Sequence, residues 1–190
     1  QDGLQHLLDC MVTLGFLDQI DSCYELTETS ERYLRSDGPA SMVSLVKISP
    51  GPLENWMGLS ETIRSGNVKA PIDDDVVGFY RPLVSATFPT QYRVATRLGS
   101  IMGWSRYSGL RVLDLGAGAG PWSAALLEHA TDSTAVINDF SSILELAESS
   151  MKSKGLSQQC EFRAGSFHEI HIEESCYDMV FLGHICRTEG

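Results

Sequence analysis

Val112-Leu113-Asp114-Leu115-Gly116-Ala117-Gly118-Ala119-Gly120 is the stretch whose reading decides the fold. A short apolar run carrying one carboxylate ends at a glycine-rich turn, and the pattern after Pro121 is helical. Glycine is needed where a ligand must touch the backbone, because a Cβ would fill that space. The first amides of the following helix then face the ligand with partial positive charge. Strand, glycine turn and helix in this order predict a ligand site at the C-terminal end of a buried strand.

Working outward, the same alternation continues. Tyr107–Leu110 reads as a lead-in loop, Arg111–Leu115 as a strand and Pro121–Ala130 as a helix. Ala135–Asn138 is a second strand. Ser141–Lys154 is a second helix, with Ser141 or Ser142 as its cap and Gly155 as its stop. Cys160–Ala164 and Tyr177–Gly183 read as the third and fourth strands. Strands alternating with helices predict an α/β fold with a parallel sheet. A Rossmann-like sheet of this kind pairs its first four strands in the order 3-2-1-4.

The glycine spacing selects among ligands. Gly116, Gly118 and Gly120 form GxGxG rather than GxGxxG, and Asp114 lies two residues before the first glycine. The second strand runs into Asp139, about twenty residues beyond the turn. A carboxylate there is placed to accept hydrogen bonds from both hydroxyls of a ribose. The competing role for Asp139 is a cap for the helix that follows.

Ahead of this region, Leu4, Leu7, Leu8, Met11 and Leu14 recur at helical spacing, and Gly15 supplies a stop. Gly15-Phe16-Leu17 and Cys23–Leu26 flank a polar stretch and predict a hairpin. Thr27 or Thr29 caps a helix holding Tyr33 and Leu34, and Asp37-Gly38-Pro39 breaks the chain. Ala40–Gly103 reads as mostly helical. Phe79–Met102 offers one or two helices, with Pro82 and Pro89 as interruptions. The expected division is 1–38, 39–106 and 107–190.

Composition narrows the partners. The 190 residues are 43% hydrophobic and carry a formal charge of −11. An acidic chain lacks the clustered Lys and Arg that nucleic acid requires. No stretch is long and apolar enough to span a bilayer, and Gln1–Leu8 lacks the pattern of a signal peptide. Cys10, Cys23, Cys160, Cys176 and Cys186 form no CxxC pair and no zinc spacing, so they read as free thiols and no metal site is expected. A cytoplasmic protein that handles a small molecule is expected.

Asp114 with GxGxG resembles motif I of the class I S-adenosylmethionine (SAM) dependent methyltransferases. The resemblance implies that Asp114, Gly116, Ala117, Gly118 and Gly120 surround the methionine part of SAM. It also implies that Asp139 and Phe140 meet the ribose. Relatives carry Gly-Asp-Phe where this chain has Gly165-Ser166-Phe167. Ser166 then replaces an adenine-binding carboxylate by a hydroxyl, and Phe167 flanks the ring. Gly183, ending the fourth strand, completes the cofactor set.

The N-terminal half is similar to the small-molecule O-methyltransferases, which include plant phenolic, acetylserotonin and bacterial polyketide enzymes. Tyr24-Glu25-Leu26-Thr27 resembles their wing strand. Trp56-Met57-Gly58-Leu59 with Ile63-Arg64-Ser65-Gly66 resembles a helix that follows it. The resemblance implies a winged-helix region that forms a homodimer. It also implies a helix at Phe79–Met102 over a substrate pocket lined by Phe79, Tyr80, Phe88 and Tyr92. A complete sheet of the class continues past the fourth strand, so the chain is expected to be a fragment.

The catalytic base departs from that pattern. The histidine of the family's His-Asp-Trp segment falls on Arg187, and a guanidinium stays charged. Either His184, three residues earlier, serves as the base, or Arg187 binds an anionic substrate that needs no base. Failing both, the protein does not methylate oxygen. SAM binding without methyl transfer is therefore the alternative function.

Overall fold

The computed structural model describes residues 2–38, 40–48, 53, 56–67 and 76–186. The chain divides into two compact units, 1–53 and 54–190. The run Asp73-Asp74-Asp75 with Pro71, and also Pro39 and Arg187, lie outside the described residues.

In the first unit, helix α1 (Asp2–Thr13) ends where Gly15 takes a φ of 75°. The Phe16 N–H then reaches the Met11 carbonyl and the Gly15 N–H that of Val12, both at 2.9 Å. This double closure satisfies carbonyls that the last helical turn would leave open. Strands β1 (Leu17–Ile20) and β2 (Cys23–Leu26) form an antiparallel hairpin in the register Leu17↔Leu26 to Ile20↔Cys23. Helix α2 (Glu28–Leu34) follows, and the Thr27 hydroxyl accepts the Ser30 N–H at 3.2 Å. Of the two threonines considered, Thr27 is the cap. A short helix, α3 (Val43–Ile48), follows.

The second unit begins with α4 (Leu59–Ser65), closed by Gly66 at a φ of 70°. The long helix α5 (Val76–Met102) then runs unbroken for 27 residues through both Pro82 and Pro89. The expected interruptions do not occur. Each proline removes one helical hydrogen bond, at a cost of about 3 kcal/mol in an isolated helix. Packing on either side of them outweighs that. Arg81 donates to the Ser142 carbonyl and pairs with Glu145 at 3.0 Å. Ala86 and Ala95 are buried, and the Tyr92 hydroxyl donates to Glu128.

The parallel sheet comprises β3 (Arg111–Leu115), β4 (Thr134–Asp139), β5 (Cys160–Ala164) and β6 (Met179–Phe181). Its order is β5-β4-β3-β6, the 3-2-1-4 arrangement expected for a Rossmann-like half-sheet. The crossover helices are α6 (Pro121–His129) and α7 (Ser141–Ser153). Alternation along β3 and β4 sorts the core. Val112, Ala135 and Ile137 pack with Leu126, Leu144, Ala147 and Met151, while Leu113, Leu115 and Val136 face Phe167, Ile170 and Tyr177.

Two local expectations are corrected. The cap position of α7 is Phe140, not Ser141 or Ser142, and no side chain caps it. Ser141 is already the first helical residue, because the Asp139–Phe140 corner turns the chain one residue earlier. The fourth strand is shorter than Tyr177–Gly183. The Asp178 carboxylate accepts the Arg111 N–H at 2.8 Å and starts the ladder, and pairing with β3 ends at Asp114↔Phe181. No helix among the described residues is long and apolar enough to cross a membrane.

Gly99 on α5 faces the indole of Trp104, which is 1% exposed and 5.8 Å from the Phe181 ring. A Cβ at Gly99 would overlap that indole. Alanine there gains about 1 kcal/mol of helix propensity. Overpacking a buried ring costs about 1–3 kcal/mol. Gly99→Ala is therefore expected to lower the urea midpoint; a raised midpoint would show that the indole moves aside freely.

Candidate active site

The C-terminal ends of β3, β4 and β5 open into a cavity of about 580 Å³ within the second unit. That volume is in the range of small-molecule sites. One rim is the glycine turn, where Gly116, Gly118 and Gly120 have φ of 58°, 60° and 74°. These left-handed values favour glycine over any other residue. Space adds a second reason. A Cβ on Gly118 would stand 3.1 Å from Val84, and one on Gly120 only 2.7 Å from Met151 Cε. A Cβ on Gly116 would overlap the Ile185 side chain.

The turn is tied to the end of β4. The Ala117 N–H donates to the Asn138 carbonyl at 2.9 Å, and the Gly118 N–H to Asp139 Oδ2 at 2.8 Å. The Phe140 N–H donates to Asp139 Oδ1, also at 2.8 Å. Each carboxylate oxygen thus holds one backbone donor and keeps lone pairs for another. Partial burial pushes the Asp139 carboxyl above its usual range, against the effect of those two amides.

Asp114 points from β3 toward α6 and is fully buried. Its Oδ2 accepts the Ser123 hydroxyl at 2.6 Å. Its Oδ1 has no hydrogen-bond partner among the described residues. Burial raises the Asp114 carboxyl to about 7, with the Ser123 hydrogen bond opposing and the nearby Asp139 charge adding to the shift.

The far rim is the turn after β5. Ser166 and Phe167 line the cavity beside Asp139 and Phe140. The Ser166 hydroxyl accepts the His168 N–H at 3.3 Å and still has its own proton to donate. The Phe167 and His168 rings lie 4.3 Å apart. Beyond the end of β6, Gly183 packs against Trp122, where a Cβ would meet the indole nitrogen at 2.8 Å. His184 follows with a φ of 69°, which a residue with a Cβ rarely adopts, and also lines the cavity. Asp114, Gly116, Ala117, Gly118, Asp139, Phe140, Ser166, Phe167, Gly183 and His184 therefore surround one cavity. Gly120 stands behind the turn, against Met151 and Ala147.

One wall was not anticipated in detail. Helix α5 presents Tyr80, Leu83, Val84, Thr87 and Gln91 along one face. Of the four aromatic residues expected there, Tyr80 lines the cavity. Phe88 and Tyr92 instead stack on each other at 5.7 Å, and Tyr92 packs against the buried core. Phe79 meets Tyr80 edge-on at 5.3 Å. Asn138, Trp122 and Ser123 also escaped the sequence reading. The one signal for Asn138 is an amide closing an otherwise apolar strand.

The acceptors suit a ligand that carries a cation and vicinal hydroxyls. Two fully buried residues that line the cavity, Asp114 and Asn138, each keep an unpartnered acceptor, Oδ1. Gly116, Ala117 and Gly118 line the same cavity.

Residues 112–189 match the family model described as a methyltransferase domain. Comparison with curated proteins gives no match. Among solved structures, the chain is similar to a protein of Nostoc punctiforme designated a candidate O-methyltransferase. Identity is 21% and the TM-score 0.78, over 94% of this chain and 55% of that one. Human N-acetylserotonin methyltransferase in complex with SAM gives 21% identity and a TM-score of 0.70, over 94% and 55%. The N,N-8-amino-8-demethyl-D-riboflavin dimethyltransferase of Streptomyces davawensis gives 22% and 0.69, over 92% and 55%. The chain spans about 55% of the length of these three structures.

Proposed function

We propose, from the match of residues 112–189 to a methyltransferase-domain family model, that the protein transfers a methyl group from SAM to a hydroxyl of a small molecule. The observation that carries this reading is the pair of carboxylates, Asp114 and Asp139, set on either side of a backbone-open glycine turn in one cavity. Asp139 takes the ribose hydroxyls with the lone pairs left over from Gly118 and Phe140. The buried Asp114 oxygen answers the ammonium of the methionine part. Phe167 offers the adenine an apolar face, and Ser166 offers it a hydroxyl.

The cofactor, when bound, supplies an electrophilic methyl group on a sulfonium sulfur. The protein's task is then to hold the acceptor oxygen in line and to take its proton. His184 is our candidate for that base. It stands at the cavity wall, and packing of its neighbours Gly183 on Trp122 and Ile185 on Gly116 maintains its left-handed backbone. The first unit, with Leu4, Leu7 and Leu14 exposed, supplies the dimer surface in this reading. The small-molecule acceptor meets the α5 face.

Label transfer from SAM to a panel of phenols and hydroxy acids tests the reaction. Tight SAM binding with no transfer to any acceptor would favour a binding role instead. His184→Asn keeps a residue tolerant of the left-handed backbone but removes the base. It is expected to slow transfer by about 100-fold or more, with cofactor affinity unchanged. A variant as fast as the parent would remove His184 from the mechanism.

A further inference from the structure

Asn138 is the last residue of β4 before Asp139, and it is fully buried. Both protons of its side-chain nitrogen are used. One goes to the Arg163 carbonyl at 2.8 Å and the other to the Gly165 carbonyl at 2.9 Å. Arg163 is its register partner on β5, whereas Gly165 lies beyond the end of that strand. Gly165 has a φ of 133°, so the chain leaves the ladder there by a route that favours glycine. Its N–H still donates to the Asp139 carbonyl at 3.0 Å. Two consecutive residues of β4 thus hold the first residue of the turn, Asp139 by its backbone and Asn138 by its side chain.

A bland account makes Asn138 a filler that satisfies two carbonyls. Two observations go further. Val136, two residues earlier on the same face, is apolar and packs against Phe167 without fixing any backbone. Asn138 also lines the cavity, and its Oδ1 has no partner among the described residues. Meanwhile the backbone carbonyl of Asn138 receives the Ala117 N–H of the glycine turn at 2.9 Å. One residue therefore sets the spacing between the two turns on opposite rims of the cavity.

We infer that Asn138 is a positioning residue that fixes the Gly165–Phe167 turn relative to Asp139, and so sets the fit of the adenosine half of the ligand. The inference rests on the SAM reading of the cavity. It assigns Asn138 no contact with the reacting atoms.

The test uses Asn138→Asp at pH 8, which keeps the shape and, once ionised, removes both donors, and Asn138→Leu, which removes them without adding charge. Binding of S-adenosylhomocysteine and of 5′-methylthioadenosine is measured by calorimetry, and amide exchange by mass spectrometry. Two lost hydrogen bonds that hold the site are expected to weaken both ligands by the same factor, about 10- to 100-fold. Exchange protection should fall at residues 165–168 and persist in β3. A general structural role would instead lower protection across the sheet. Unchanged affinity for both ligands would overturn the inference, as would a loss confined to S-adenosylhomocysteine. If Asn138→Leu fails to fold, Asn138→Asp alone decides. If the parent protein binds neither ligand, the SAM reading fails by itself. Exchange at 165–168 then decides the positioning role: selective loss supports it and unchanged protection overturns it.

Discussion

In the SAM reading of the cavity, Asp139→Ala is expected to lower the affinity for S-adenosylhomocysteine by about 100-fold or more. Charge-assisted hydrogen bonds of this kind contribute about 1.5–3 kcal/mol each, and two ribose hydroxyls are lost together. About 3 kcal/mol corresponds to slightly more than 100-fold. A further loss comes from the turn itself, since the Gly118 N–H then has no carboxylate to donate to. Asp139→Asn keeps one side-chain oxygen and should fall between parent and alanine. Isothermal calorimetry reads the affinity, and a thermal melt confirms that the variant is folded. A change below about threefold would remove Asp139 from the ribose site.

The second large effect concerns pH. Burial raises the Asp114 carboxyl to about 7, so at pH 5 only about one molecule in a hundred carries the ionised form. An ammonium ligand selects that form. Affinity for S-adenosylhomocysteine should therefore rise about 50-fold between pH 5 and pH 7 and level off above. Stability of the ligand-free protein runs the other way. A carboxyl whose folded pKa is raised favours folding below its unfolded value, near 3.8, and that contribution is lost as pH climbs through about 7. Asp114→Asn should flatten both profiles and weaken binding at pH 8. Calorimetry and melts in the same buffers check both. An affinity independent of pH in the parent would exclude the ammonium contact.

The sheet was legible because its signals are local. Alternation from Arg111 to Ala164 and the three glycines depend only on neighbours along the chain. Asp139 was legible because the spacing from a glycine turn to the next strand end is nearly constant in such folds. The misses have a common cause in tertiary packing. Pro82 and Pro89 read as breaks, yet the long helix is held on both sides of them by Arg81 and Tyr92. The periodicity of that helix could not tell which aromatic residues face the cavity, because Tyr92 turns instead to Glu128 and the core. Asn138 was passed over because its partners, Arg163 and Gly165, are more than twenty residues away in sequence. Arg187, where the resemblance places the base, lies outside the described residues.

The continuity of α5 has a consequence for how such a protein changes over generations. Tyr80, Val84, Thr87 and Gln91 form one contiguous wall of the cavity, on a helix whose other contacts fasten it to α6 and α7. These four side chains are only partly buried, so exchanging one disturbs folding less than exchanging a core residue does. The glycine turn has less latitude, since its three positive φ values strain any residue with a Cβ. In the function proposed above, the α5 face meets the acceptor and the glycine turn meets the cofactor. Single-codon drift can redraw the first while the second stays inherited unchanged.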